Sequence, residues 1–289
     1  MINYRMTDKK YIAELIESDL KKDLHIHTCY SDGTLRPEQV VDRWKSEGYE
    51  IIAITDHDGI KGSLIGMEYA EKAGITFIPG IEFDSEDELG KDLHILGYGF
   101  DYTDHDLKVK LTDILIKRAQ RNDRMMNALN AKGYGITLDD IGEINDGRYV
   151  GKPTFAKILQ KKGFVEKPQD AFETIFREPE LKCIKKSTLP SKEVIDTIHA
   201  AGGLAVMAHP MEQRHLEESY AEFEPRLFKI LDRMVEYGID GIECWHPSAD
   251  EVQSGILAEY ADAHGLIKSK GSDFHTDDKP RTFERYHRP

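Results

Sequence analysis

Seven short apolar runs of strand length punctuate the chain, several of them preceded by a helix-like stretch that ends in glycine, and this rhythm limits the fold more than any other feature. The runs are LHIHT (24–28), IIAIT (51–55), TFIPGIE (76–82), LHILGYGF (93–100), LAVMAH (204–209), GIECW (241–245) and LIKSKGSD (266–273). PEQVVDRWKSEG starts with Pro37, suited to a first helical turn, and stops at Gly48; SLIGMEYAEKAG stops at Gly74, and SKEVIDTIHAAGG leads into LAVMAH. Helix followed by strand in this way predicts βαβ units and parallel pairing, hence an α/β protein. The link from Glu82 to His94 is too short and too acidic for a crossover helix, so a hairpin-like departure is expected there and any barrel is irregular.

Between Phe100 and about Lys186 no strand run recurs. VKLTDILIKRAQRNDRMMNALNAKG and PTFAKILQKKG instead space apolar residues by three and four, which predicts a helical insertion. The expected organisation is an extra amphipathic helix over 1–20, a first barrel part over 21–105, the insertion over 106–186 and a second barrel part over 187–289. A chain of 289 residues is long enough to bury a full core. Its net charge of -14 argues against coating long nucleic acid, where many phosphates must be neutralised. Residues 106–180 differ, with 14 Lys and Arg against 12 Asp and Glu, a net of +2. No run approaches the roughly 20 apolar residues of a membrane span, and the N-terminus lacks the apolar core of a signal peptide. Three cysteines, Cys29, Cys183 and Cys244, are an odd number without metal-type pairing, as expected of free thiols in a cytoplasmic protein.

Candidate ligands cluster at the ends of these runs. In a strand, residues i and i+2 share a face, so His25 and His27 are expected to project together, with Leu24, Ile26 and Thr28 on the other side. An HxH pair alone is a weak signal. However, His57 follows IIAITD, Glu82 closes TFIPGIE, His209 closes LAVMAH, and Asp273 and His275 follow LIKSKG. Parallel α/β barrels place their sites at that C-terminal strand edge. His94, near the start of its run, suits a strand arriving from the opposite direction. Asp32 in YSDGT also reads as a turn residue, Glu82 and Asp273 as caps, and Asp56 in TDHD is taken as structural. A metal cluster accounts for all of the first nine together. Six imidazoles and three carboxylates exceed what one ion needs, so two or three divalent ions follow, and mixed N/O ligation suits Mn²⁺, Fe²⁺ or Zn²⁺.

The ordered series HIHTCYSDGT, AITDHD, PGIEF, LHILGYGF, GGLAVMAHP, GIECWHP and GSDFH resembles the PHP (polymerase and histidinol phosphatase) metallophosphoesterases, over about residues 23–277. The HAAGGLAVMAHP block and the helical insertion look closest to the stand-alone branch acting on AMP, 3′,5′-nucleotide bisphosphates or short RNA 5′ ends. The resemblance implies a distorted (β/α)7 barrel with a trinuclear site. One ion would take His25, His27, Glu82 and Asp273, a second Glu82, His94 and His209, and a third Asp32, His57 and His275. Where this branch usually carries a GRPH-like motif, the chain reads GKPT at 151–154, so Lys152 keeps a positive charge without the bidentate fork and Thr154 replaces an imidazole. Arg118 and Arg121 match the branch and are candidate substrate contacts with Lys152 and Thr154; a solvated helix face is the other reading of the arginines.

The expected activity is hydrolysis of a small nucleotide phosphomonoester by a hydroxide bridging two ions, with His246 of CWHPS as a candidate proton donor. Two alternatives are a histidinol-phosphate phosphatase and a metal-binding regulatory module without catalysis. An insertion of this kind is not obviously needed by an aminated substrate. The intact ligand set favours catalysis.

Overall fold

Parallel pairing frames the first part of the computed structural model, which describes residues 8–145, 150–215 and 218–277. β1 (Lys22–Ile26), β2 (Ile51–Ile54) and β3 (Thr76–Phe77) form a parallel sheet in that order. β4 (Gly80–Glu86), β5 (Asp92–Tyr98), β6 (Leu189–Pro190), β7 (Leu204–Met207), β8 (Gly241–Trp245) and β9 (Ile267–Lys270) form a second, ordered β6-β4-β5-β7-β8-β9. Isolated bridges join the sheets at both margins, His57 to Glu82 and Ile26 to Phe274. Among the described residues, pairing therefore runs through β1, β2, β4, β5, β7, β8 and β9 and returns to β1.

The α/β class expected from the sequence holds, and so does the hairpin. β4 and β5 pair antiparallel from Gly80 opposite Tyr98 to Glu86 opposite Asp92. The TFIPGIE run is not one strand, however. It breaks around Pro79, so β3 pairs with β2 while Glu82 becomes the third residue of β4, near that strand's start.

Two helices cover the first sheet. α1 (Lys9–Glu17) precedes β1, and α2 (Pro37–Ser46) and α3 (Lys61–Ala73) bury Val40, Val41, Trp44 and Ala70 with Ile26, Ile52, Ile54 and Phe77. Asp8 caps α1 by accepting from the N–H of Lys10, and Gly74 ends α3 at φ 73°, a conformation that costs glycine little. Ile12 and Ile16 of α1 lie 0% and 1% exposed against Leu24, Ala53, Leu96, Tyr98 and Val206. Each such side chain contributes about 1.5–3 kcal/mol through burial. The extra helix thus closes the interior at the end where β1 and β2 begin, opposite the edge that carries the candidate ligands.

α4 (His105–Ala131), α5 (Leu138–Asn145), α6 (Lys152–Lys161), α7 (Pro168–Glu173) and α8 (Pro179–Lys182) follow β5; α9 (Ser191–Ala200) packs on β5 and β7, α10 (Tyr220–Tyr237) on α9, and α11 (Glu251–His264) on β8 and β9. Contacts divide the chain into two compact units, Met1–Lys108 with Leu189–Pro289, and Val109–Thr188. The second has its own core, in which Met125, Leu129, Phe155, Ile158, Leu159 and Phe176 are buried. Its described residues hold helices and no strand. Residues 1–7 and 278–289, which belong to the outer parts expected from the sequence, lie outside the described residues.

Candidate metal centre

Strand ends and seams bring the nine candidate ligands together. His25 lies in β1, His27 and Asp32 follow it, His57 follows β2, Glu82 and His94 face each other's strands in the hairpin, His209 follows β7, and Asp273 and His275 follow β9. Locally β1 departs from the expected alternation. Its pairing with β2 is irregular between Asp23 and Ile26, so Leu24 enters the interior core while Ile26 packs beneath α2 and α3. The two imidazoles still converge, with Nε2 atoms 3.1 Å apart. Among the described residues, the non-glycine residues at positive φ are Asp58 (50°), His209 (27°) and Asp273 (50°). Two of these are candidate ligands, and such backbone costs about 1–3 kcal/mol, which surrounding structure must offset.

The first group has the spacing of ligands around one cation. His25 Nε2 lies 3.3 Å from Glu82 Oε2 and 3.3 Å from Asp273 Oδ1, and His27 Nε2 lies 3.1 and 3.0 Å from the same two atoms. Ligands about 2.1 Å from a shared ion, at angles between about 90 and 110°, stand roughly 3.0–3.4 Å apart. A second group uses the other carboxylate oxygen, since Glu82 Oε1 is 2.9 Å from His94 Nδ1 and 3.1 Å from His209 Nε2, and those nitrogens are 3.2 Å apart. The third is looser. Asp32 is 3.2 Å from His275 Nε2 and 3.9 Å from His57 Nε2, and His27 Nδ1 lies 3.6 Å from Asp32. Buried Asp32 Oδ1, His57 Nδ1 and His209 Nδ1 have no hydrogen-bond partner. Nitrogen facing nitrogen at 3.1 Å with carboxylates alongside suits a cation better than a hydrogen-bond network. The donor set fits divalent metal.

Charge follows the same pattern. Burial raises the Glu82 carboxyl, yet His57, His25 and His94 outweigh it and hold the group well below the usual carboxylate range. Asp273 behaves alike, burial being overcome by His25, His246 and His27. Burial opposes charging of His27, but Asp273 and Glu82 lift it to about 10. For His57 burial wins over Glu82 and Asp32, and the ring drops to about 4.

Two further carboxylates enter the centre that the sequence reading did not select. Glu243 of β8 is 1% exposed and lies 3.1 Å from His25 Nδ1, and Asp84 lies 3.1 Å from His94 Nε2. Signals for both existed: Asp84 shares a strand face with Glu82, and Glu243 interrupts an apolar run. His246 is also present, its Nε2 3.8 Å from Asp273, while Nδ1 accepts the Ser248 N–H at 3.0 Å.

Asp56 plays the structural part expected of it. It is fully buried and accepts three bonds of 2.7 Å, from the N–H and hydroxyl of Thr28 and the hydroxyl of Ser31. These pin the turn that carries Asp32. Asp56→Ala strands three donors, and a loss of about 3–5 kcal/mol in urea unfolding is expected; a change below ~1 kcal/mol would contradict this role.

The helical unit keeps its candidate contacts close together. Arg118 and Arg121 are buried on α4 rather than spread on a solvated face. Lys152 opens α6, where burial and the charge of Arg121 lower its pKa. The Thr154 hydroxyl accepts the Gly151 N–H at 3.2 Å, so it helps cap α6.

The PHP domain family model matches residues 23–244. A 5′-3′ exoribonuclease of Haemophilus influenzae is 31% identical over 255 residues, covering 88% of this chain and 90% of that relative. A 3′,5′-nucleoside bisphosphate phosphatase of Chromobacterium violaceum is 30% identical over 259 residues, 88% of this chain and 86% of its own length. A crystal structure from Bifidobacterium adolescentis, provisionally described as a metal-dependent phosphoesterase, aligns with TM-score 0.76 at 29% identity, covering 91% of this chain and 90% of that one. Among the described residues no helix is long and apolar enough to cross a membrane. With the family model matched over residues 23–244 and relatives of 30–31% identity covering 88% of the chain, the chain belongs to the PHP domain family and is a metal-dependent phosphoesterase.

Proposed function

We propose that this enzyme hydrolyses the phosphomonoester of a small nucleotide: AMP, a 3′,5′-nucleotide bisphosphate or a short 5′-phosphorylated oligonucleotide. His25, His27, Glu82 and Asp273 hold one ion, Glu82, His94 and His209 a second, and Asp32, His57 and His275 a third. The observation that carries the ligand set is the mutual spacing of 3.0–3.3 Å among ligand atoms of His25, His27, Glu82 and Asp273. Bound Mn²⁺, Fe²⁺ or Zn²⁺ would neutralise phosphate charge and acidify a water. The two oxygens of Glu82 face different imidazole groups, which suits a bridging ligand. His246 turns an unpartnered, buried Nε2 toward the Asp273 side, placing an N–H donor beside the centre. The names of the relatives, a nucleoside bisphosphate phosphatase and an exoribonuclease, support the nucleotide class.

Lys152, Thr154, Arg118 and Arg121 are assigned to the substrate. Bringing the Lys152 ammonium within electrostatic reach of Arg121 is unfavourable by itself and favourable with an anion present. Lys152→Ala is expected to raise KM for a nucleotide about tenfold, the weight of one charge-assisted contact, with metal content unchanged. Metal loss in that variant would count against a substrate role. The deciding experiment is phosphate release from AMP, pAp, 5′-phosphorylated RNA dinucleotide and histidinol phosphate with Mn²⁺ supplied. Preference for a nucleotide is expected; turnover of histidinol phosphate alone would overturn the reading, and no release from a metal-loaded protein would point to a regulatory module.

A further inference from the structure

Glu243 is a carboxylate in an otherwise apolar strand, GIECW, at 1% exposure. A buried carboxylate is seldom cheaper than an apolar side chain of the same volume, so its contacts must explain it. Its Oε1 and Oε2 lie 3.1 and 3.3 Å from Nδ1 of His25, and Oε2 accepts the backbone N–H of His209 at 2.7 Å. These contacts join β8 to β1 and to the end of β7. They also fall on the far side of the His25 ring from Glu82 and Asp273, which face Nε2. Glu243 therefore stands behind a candidate ligand and does not compete for the same ion.

We propose that Glu243 is a positioning residue of the metal centre, fixing the ring of His25 and the backbone of His209 so that ligands from two strands keep one spacing. The inference rests on the reading of His25 and His209 as ligands. A carboxylate only accepts, so Nδ1 of His25 carries the proton and Nε2 is left with its lone pair toward the ion. His209 sits at φ 27°, a backbone that needs holding, and the 2.7 Å bond supplies an anchor at that residue. Gly271 shows how closely the assembly is fitted. A Cβ there would stand 2.5 Å from Glu243 Oε1 and 2.2 Å from His25 Cβ, so only glycine leaves room for the pair. Carboxylates in this relation to a ligating imidazole raise its basicity and fix its orientation.

The test compares wild type with Glu243→Gln, Glu243→Asp and His25→Ala. Mn²⁺ affinity is measured by competition with a chelating dye, the Co²⁺-loaded protein by visible absorption, and the Zn²⁺-loaded protein by its downfield imidazole N–H resonances. Glu243→Gln keeps the shape and one acceptor, and is expected to weaken Mn²⁺ binding about 10–100-fold. It should also shift the Co²⁺ bands and move one N–H resonance that His25→Ala removes altogether. Glu243→Asp, shortened but still charged, should fall between the two and serves if the Gln variant does not fold. Unchanged affinity, bands and resonance in either folded Glu243 variant, while His25→Ala loses metal, overturns the positioning role alone. Full metal retention in His25→Ala overturns the ligand reading beneath it.

Discussion

Glu82→Gln is expected to deplete more than one metal position and to cut phosphate release by at least about 10³-fold, because it would remove a charge shared between two of the proposed ion sites, each of which would supply several kcal/mol of transition-state stabilisation. The expectation follows from geometry. One oxygen stands 3.3 and 3.1 Å from Nε2 of His25 and His27, the other 2.9 and 3.1 Å from His94 and His209. Metal analysis by mass spectrometry alongside turnover checks it, and a variant that lost activity while retaining its full complement of metal would show that Glu82 acts on substrate rather than as a bridge. Replacing Asp32 should be milder, since its group is wider, at 3.2–3.9 Å, and holds fewer close contacts.

Metal affinity should rise steeply with pH. In the metal-free protein burial opposes charging of His25 and His94, yet Glu243 and Glu82 raise the first and Glu82 and Asp84 the second, while His27 is lifted to about 10. These rings carry protons near neutrality, and an ion must displace them. Each proton released adds about tenfold in affinity per pH unit, so release from all three rings gives up to about a thousandfold between pH 6.5 and 7.5. Calorimetry in buffers of different ionisation enthalpy counts those protons directly; pH-independent binding would refute the linkage. For stability without metal the two histidines act in opposite senses. His27 has a folded pKa above the ordinary 6.5, so its stabilising contribution is complete below pH 6.5 and is lost as pH rises toward about 10. His57 has a folded pKa of about 4, so its contribution is lost as pH falls from 6.5 toward that value. Chelated protein should accordingly melt lower on the alkaline side, and added Mn²⁺ should restore it.

The candidate ligands are legible in the sequence because ligand chemistry and strand periodicity coincide in short segments. His25 and His27 are two apart, and Asp32 follows within one turn. Asp56 reads as structural from TDHD, where it could cap a turn, but the partners it has, Thr28 and Ser31, lie 28 and 25 positions away and come from the fold. Glu243 was passed over because a single acid in GIECW has no local partner; its meaning depends on His25, 218 positions away. The Pro79 break does carry a local signal, since Pro-Gly marks a turn, but its consequence, pairing with β2 on one side and β5 on the other, is tertiary.

By itself, the amino-acid order determined the α/β class, the hairpin after Glu82, the helical character of the insertion and the identity of the nine candidate ligands, because each depends on periodicity, turn chemistry or side-chain type within a few residues. Only the tertiary structure decided the separations among those candidate ligands, that β1 is irregular where it carries His25, that α1 closes the interior with Ile12 and Ile16, and that Glu243 stands behind a candidate ligand. Those features depend on separations of about 3 Å between residues far apart in the chain, which periodicity does not encode and which arise only when strands pair and the core packs.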